Sequence, residues 1–223
     1  MQVIRPFHKI FSMPDGEKIL KHIETAGRTC YKSEDRITDE SASGFVKRLI
    51  KAGHHSVLEH ANITVHFTCD RGVSHQIVRH RLAAFSQEST RYANYAGEKF
   101  GQEITVIKPF FWPEDSPEYA EWLTAMEQAE KSYMKLIEMG ARPEQARSVL
   151  PNSLKTELVM TCNIREWRHV LRLRCSPAAH PQIREIMLPL LADFYERLPV
   201  FFDDIYEEYE EDIKHFQAQR IGS

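Results

Sequence analysis

Arginine is the residue type whose spacing in this sequence most invites a chemical reading. Between residues 71 and 91 the chain carries Arg71, Arg79, Arg81 and Arg91 with His75 and His80, against a single acid, Glu88. Between 165 and 174 it carries Arg165, Arg168, Arg172 and Arg174 with His169, against Glu166 alone. A guanidinium is planar and always charged, and it offers paired donors to phosphate or carboxylate oxygens. Two such clusters in a chain of formal net charge −3 point to a bound anion rather than to a general affinity for polyanions. Arg147 stands apart from both clusters as a further candidate. The usual phosphate-cradling loops are missing: none of the nine glycines forms GxG, and no GxxxxGKS or GxxxxGKT occurs. Side chains must therefore hold any phosphate. The bland alternative for either cluster taken alone is a solvated or self-paired surface.

Two other chemistries are weaker. Eleven histidines are many, and His54, His55, His60 and His66 fall close together, but their spacing does not make a metal site. His75 and His80 are five apart, which on a helix separates them by about 140°, whereas two ligands on one helical face need i and i+4. No metal is expected. The four cysteines, Cys30, Cys69, Cys162 and Cys175, are scattered and form no CxxC pair, as in a reduced, cytoplasmic protein. Cys175 follows Arg174, which could lower its pKa, yet a packed thiol is the stronger reading, so no cysteine nucleophile is expected.

The elements that must position these residues follow from periodicity and caps. Residues 2–12 are extended in character, and a helix follows Pro14-Asp15-Gly16. Thr38 is expected to cap a helix running to about Ala52 and ending at Gly53, which delivers His54-His55-Ser56. Residues 61–69 alternate and are rich in β-branched side chains, as in a half-buried strand. Asp70 should cap a helix from about Arg71 to Ala83, with Arg79-His80-Arg81 near its end and Ser86 to Tyr92 as a loop. Ser116-Pro117 opens the clearest helix, which lasts until Gly140. A short helix over 143–150 carries Arg147, and a strand over 156–162 feeds a helix from Asn163 to about Arg174. After Pro181 a wide apolar stripe (Ile183, Ile186, Met187, Leu190, Leu191, Phe194, Leu198) suits a subunit interface, while the acids of 203–212 read as a solvated helix face. Strands mixed with long helices, without regular βαβ alternation, argue for α+β.

The first cluster is part of a more detailed string. Arg79-His80-Arg81 is followed, after seven residues, by Ser89 and then by Arg91-Tyr92, within RHRLAAFSQESTRY. This resembles the signature of flavin-dependent thymidylate synthases. Other segments agree in order and spacing: Gly53-His54 with Glu59-His60, Arg147 with Val149-Leu150-Pro151, Asn163-Ile164-Arg165, and Leu173-Arg174 with His180. The resemblance runs from about Thr38 to His180. It implies one catalytic domain over 1–223 with a central, mostly antiparallel sheet flanked by long helices. It also implies conversion of dUMP to dTMP, with methylenetetrahydrofolate as one-carbon donor, NADPH as reductant and FAD as cofactor, in a homotetramer whose sites are shared between subunits.

Residue by residue, the resemblance assigns Ser56, Arg79, His80, Arg81, Gln87, Asn163, Arg165 and His169 to FAD, and Gln76, Arg79, Gln87, Glu88, Ser89, Thr90, Arg91 and Arg147 to dUMP. Arg174 is the catalytic candidate: placed against the pyrimidine, its fixed charge would stabilise negative charge at N3 and O4 as C5 becomes nucleophilic. His54 resembles a histidine near flavin and folate, with a helix-exit histidine satisfied by backbone as the alternative. Ser89 reads as nucleophile or phosphate ligand, and the ligand is favoured because no general base is evident nearby. The chain departs from the family at Ser86-Gln87, where Asn-Glu is common, and over 175–179, which is longer than in some relatives.

With 223 residues and 42% hydrophobic content, one domain with a sizeable core is expected. No apolar run approaches the roughly 20 residues of a membrane span, and the first thirty residues lack a signal-peptide pattern, so a cytoplasmic location is expected, with no membrane partner. A polymeric nucleic acid is not expected as partner. An RNA- or single-strand-binding module, using Phe85, Tyr92 and Tyr95 as stacking platforms, is the rival from another class. A different flavoprotein acting on another nucleotide is the second.

Overall fold

The computed structural model describes residues 1–221, with side chains described through residue 217. In chain order the elements are β1 (Gln2–Ile4), β2 (Phe7–Ser12), α1 (Gly16–Tyr31), α2 (Ser41–Lys51), β3 (Asn62–Asp70), α3 (Arg71–Ile77), β4 (Ala84–Gln87), β5 (Thr105–Ile107), α4 (Pro117–Glu138), α5 (Pro143–Ala146), β6 (Lys155–Asn163), α6 (Ile164–Cys175), α7 (Pro181–Arg197) and α8 (Pro199–Ile221). Short 3-10 turns occupy Glu34–Arg36, His55–His60, Glu98–Phe100 and Arg147–Val149. The main sheet is antiparallel with strand order β2-β3-β6-β4, and β1 pairs in parallel with β5. The α+β class is as the element pattern implied.

The chain divides into two compact units. The first comprises Met1–His8, His66–Arg79 and Phe85–Val159; the second comprises Lys9–Val65, His80–Ala84 and everything from Met160 onward. The first unit has its own core of Tyr95, Ile104, Val106, Met126, Tyr133 and Leu154. Its long helix α4 starts as the sequence dictates: the Ser116 side chain accepts from the Tyr119 N–H at 3.2 Å and Pro117 occupies the first turn. Gly140, at φ 89°, follows its end in the left-handed conformation that glycine adopts without a Cβ clash.

The second unit is built around α6, α7 and α8, with α1 and α2 beside them. The apolar stripe after Pro181 lies wholly inside it: Ile183, Met187, Leu190, Leu191 and Phe194 are fully buried. Burying each contributes about 1.5–3 kcal/mol. The stripe is thus covered by the chain's own α6 and α8 rather than by another subunit, because α8 supplies a second apolar face (Phe201, Phe202, Ile205) that its acidic composition conceals. The acids themselves are only partly a solvated face. Asp204 binds Arg168 and Arg172, Asp212 binds Arg184 at 2.7 Å and Asp203 binds Lys47 at 2.9 Å.

Three element boundaries differ from expectation. Helix α2 begins at Ser41, and Thr38 does not cap it; the Ser41 hydroxyl instead bonds the Thr38 backbone N–H at 2.9 Å and the Glu24 carboxylate at 2.8 Å. Helix α3, capped by Asp70 as expected (Val73 N–H to Oδ1, 2.7 Å), stops at Ile77. Arg79-His80-Arg81 therefore lies beyond the helix in a bend, because residues 84–87 must straighten to pair as the edge strand β4. Ser86 and Gln87 consequently belong to a strand, and only the segment after them is irregular.

Candidate functional site

Within the first unit, strand β4 and the turn after it present Gln87 to Arg91. The Gln87 side-chain amide donates to Ser74 Oγ at 2.9 Å and to Thr156 Oγ1 at 3.3 Å. The Ser74 hydroxyl in turn donates to the Arg71 carbonyl at 2.9 Å, so its lone pairs face the glutamine. Glu88 is pinned between Tyr95 Oη at 3.0 Å and Lys155 Nζ at 3.1 Å. Burial, then the neighbouring Glu88 charge, pushes the Tyr95 phenol far up, so it stays a donor. Thr90 is buried and accepts from Arg147 Nη1 at 3.3 Å. The Ser89 Oγ caps the turn by accepting from the Arg91 N–H at 3.3 Å. No general base contacts Ser89 among the described residues, which favours the ligand role over the nucleophile. Arg91 is exposed, with Glu144 only at 4.0 Å. Gln76 lies in α3 and Arg79 just past its end. This unit thus carries every residue expected at dUMP except Arg174.

The second unit carries most of the flavin set. At its centre His80 is 4% exposed, and its Nε2 lies 3.0 Å from the Nε of Arg174. A guanidinium N–H can only donate, so His80 Nε2 accepts and the ring proton sits on Nδ1. Nδ1 faces the buried Glu166 carboxylate at 3.5 Å, a weak N–H···O contact rather than an ion pair. Burial, the Arg174 charge and His169 together lower the His80 pKa to about 4, which keeps the ring neutral. Burial likewise raises the Glu166 carboxyl. His169 stands edge-on to His80 with ring centroids 5.8 Å apart. His80, Glu166 and His169 bring ligand-type atoms within 4.8 Å of one another, a grouping that sequence spacing could not reveal. The guanidinium on His80 Nε2 opposes a cation there, since two positive charges at such range repel strongly in a buried site.

A second grouping surrounds an open cavity of about 290 Å³ lined by Tyr31, His54, His55, Ser56, Val57 and Arg165, among others. Gly53, at φ 75°, turns the chain out of α2 so that these residues reach it. His55, not His54, is the histidine satisfied by backbone, its Nε2 lying 3.2 Å from the Ile50 carbonyl. His54 is exposed and stacks on Tyr31 (centroids 6.5 Å, planes 18° apart), with the phenol oxygen 3.4 Å from its Nδ1. Asn163 caps α6 through its side-chain oxygen (Glu166 N–H, 2.9 Å), which leaves its amide N–H groups as donors. Arg165 pairs with Glu59, and Arg81 is exposed in the bend after α3. Ring-sized space beside Ser56, His54 and Arg165 fits part of a flavin dinucleotide, whose phosphates and ring carbonyls require such donors.

The second arginine cluster is divided. Arg168 is 2% exposed and chelates Asp204 at 2.9 and 2.7 Å, with the Phe201 carbonyl as a further acceptor, and Arg172 binds the same carboxylate. For these two the self-paired reading holds. Cys69, Cys162 and Cys175 are buried, and burial pushes all three thiols well above the usual range, so the neighbouring Arg174 does not activate Cys175. Glu166, Tyr31, Ser74, Thr156 and Lys155 were not singled out from sequence. Glu166 and Lys155 were visible only as isolated charges, and their significance comes from strand and helix partners distant in the chain.

Comparisons with known proteins agree on one family. The family described as thymidylate synthase complementing protein matches residues 11–200. The chain is 33% identical over 172 residues to a flavin-dependent thymidylate synthase of Pyrococcus furiosus, covering 77% of this chain and 70% of that one. Against the Geobacter sulfurreducens enzyme of the same name it is 32% identical over 189 residues, covering 82% and 80%. Against that of Thermococcus kodakarensis it is 38% identical over 159 residues, covering 71% and 64%. The crystal structure of a UMP/dUMP methylase from Streptomyces cacaoi, bound with 5-Br dUMP, shares the fold at TM-score 0.74 and 22% identity, covering 91% of this chain and 96% of that one.

Proposed function

The chain belongs to the family of flavin-dependent thymidylate synthases, and from that premise we propose that it methylates dUMP to dTMP, using FAD, methylenetetrahydrofolate as one-carbon donor and NADPH as reductant. The observation that carries this reading is the Arg174–His80–Glu166 chain. A neutral histidine holds the guanidinium by its Nε, and a buried carboxylate faces the histidine proton. Such an arrangement fixes a positive charge before the substrate arrives, which is what a developing anion on a pyrimidine needs. No enzyme nucleophile takes part.

In this reading Arg91, Arg147 and Ser89 bind the nucleotide phosphate, while Gln76, Arg79, Gln87, Glu88 and Thr90 orient the nucleoside. His54, Ser56, Arg79, His80, Arg81, Gln87, Asn163, Arg165 and His169 hold the flavin. The flavin these residues would hold would supply the reducing chemistry, with NADPH as the source of hydride. Arg174 stabilises charge at N3 and O4 of dUMP, which makes C5 the nucleophile towards the one-carbon unit. We further assign the chain as one catalytic domain over 1–223, acting in the cytoplasm as a homotetramer with sites shared between subunits, and with neither a nucleic-acid polymer nor a membrane as partner. Shared sites are supported by the cavity of about 290 Å³, which encloses only part of a dinucleotide, and by the exposed Leu82 and Leu173 beside the site residues. No helix among the described residues is long and apolar enough to cross a membrane.

The test is the visible spectrum of the purified protein, followed without oxygen by NADPH and then by dUMP with methylenetetrahydrofolate. A yellow protein that bleaches and then forms dTMP is expected. A protein unable to take up FAD would sink the proposal, and bleaching without dTMP would leave a flavoprotein of another kind. Full activity from a monomer would refute the shared site.

A further inference from the structure

Beside the cavity of Tyr31, His54 and Ser56, the second unit holds another pocket of about 500 Å³, and Tyr31 lines both. Its walls come from the end of α1, the turn after it and α2, and they present Arg28, Lys32, Arg36 and Arg48 against Asp35 as the one acid. None of these cations belongs to the two clusters discussed above.

The four cations are not equivalent. Arg28 is buried, bonded to the fully buried Glu24 at 2.9 and 3.2 Å, and lies 4.2 Å over the Phe45 ring. It is a neutralised floor. Lys32, Arg36 and Arg48 have no acidic partner among the described residues, and all three are exposed. Among the described residues Lys32 is one of two non-glycine residues with positive φ (48°), at the α1 C-cap where glycine or asparagine costs least. Its side chain lines the pocket from that position. One cation near a helix C-terminus is favourable by itself, but three facing one cavity repel each other unless an anion joins them.

We propose that this pocket seats the polyanionic tail of a co-substrate whose ring end enters the adjoining cavity; the inference rests on the flavin reading of that cavity. The shared chemistry is two or more phosphate or carboxylate charges on a flexible arm. A nucleotide reductant and a folate with a glutamate chain both fit that description, and the assay separates them.

The experiment compares the wild-type holoenzyme with Arg36→Gln/Arg48→Gln and with Lys32→Gln alone, the latter serving if the double variant does not fold. Two pairs of co-substrates are used: NADPH against NADH, and triglutamyl against monoglutamyl methylenetetrahydrofolate. The expected result is a rise of about tenfold in KM for the more anionic member of one pair, with kcat and flavin content unchanged. Its advantage over the less charged member should vanish, and the responding pair identifies the tail. KM values within twofold of wild type in both pairs would overturn the proposal. Loss of flavin from either folded variant would also overturn it, because the pocket would then serve the flavin's own phosphates. A wild-type protein that makes no dTMP would instead count against the thymidylate synthase reading.

Discussion

Two arginine clusters that look alike in sequence meet different kinds of partner. In residues 165–174 Arg168 and Arg172 share Asp204, Arg165 meets Glu59, and Arg174 binds a neutral group, His80. Around residues 71–91 the contacts are mostly to amides and hydroxyls, with Gln87 on Ser74 and Thr156 and Arg147 on Thr90, while Arg91 has Glu144 only at 4.0 Å. An arginine buried against a carboxylate, as Arg168 is against Asp204, is already neutralised and serves the fold, whereas the exposed Arg165 beside Glu59 keeps donors for a ligand. One opposite a neutral acceptor keeps its charge available for a ligand. The comparison therefore sorts the arginines by their partners rather than by their neighbours in sequence.

The sharpest test of that sorting is Arg174→Ala. Removing a fixed charge aimed at a developing anion should lower kcat by about 10²–10³-fold while FAD binding persists. Steady-state turnover with a flavin spectrum on the same sample decides it, and unaltered turnover would remove Arg174 from the mechanism. The complementary change is Asp204→Ala, which leaves Arg168 buried without its carboxylate. A loss of about 2–3 kcal/mol in urea unfolding is expected, less than for a fully enclosed pair because Asp204 is 40% exposed on its side chain. The folded fraction should keep its kcat. A selective loss of kcat at unchanged stability would move Arg168 into the functional group and break the comparison.

How much of this was legible in the sequence differs by kind of feature. Caps with local partners were readable, as at Asp70, Ser116 and Asn163, since a side chain three residues from its acceptor needs no fold to find it. The end of α3 was not, because it is set by β4 joining the sheet, a non-local demand that local helix signals do not contain. The stripe of α7 was readable as buried but not as to what buries it. The missing information was the second apolar face on α8, diluted by acids that themselves pair with arginines. In the site, residue types were legible and roles were not: His80 as the neutral anchor of Arg174 depends on burial and on Glu166, which lies 86 positions further along the chain.

A smaller effect follows from that anchor. The His80 pKa of about 4 lies below the ordinary 6.5, so between these values the unfolded chain binds the proton more readily than the folded one. The histidine's contribution to stability is complete above pH 6.5 and is lost as pH falls towards 4. Thermal unfolding of wild type and His80→Asn should therefore differ most near pH 7 and converge by about pH 4. A difference that stays constant across that window would mean that the ring is not held neutral.

The smallest effect expected probes the neutral half of the comparison, at Gln87. In Gln87→Glu a carboxylate oxygen would face Ser74 Oγ, whose proton is already given to the Arg71 carbonyl, so lone pair would meet lone pair. Thr156 can turn its hydroxyl to donate, which limits the cost to about 1 kcal/mol. The added negative charge also stands among the residues assigned to a dianionic nucleotide. The KM for dUMP should rise about fivefold at pH 8, and the rise should shrink as pH falls and the new carboxyl takes up a proton. A dUMP KM that is unchanged at pH 8 would mean that the amide network around Gln87 positions a strand end rather than a substrate, and the first cluster would then owe its neutral surroundings to folding alone.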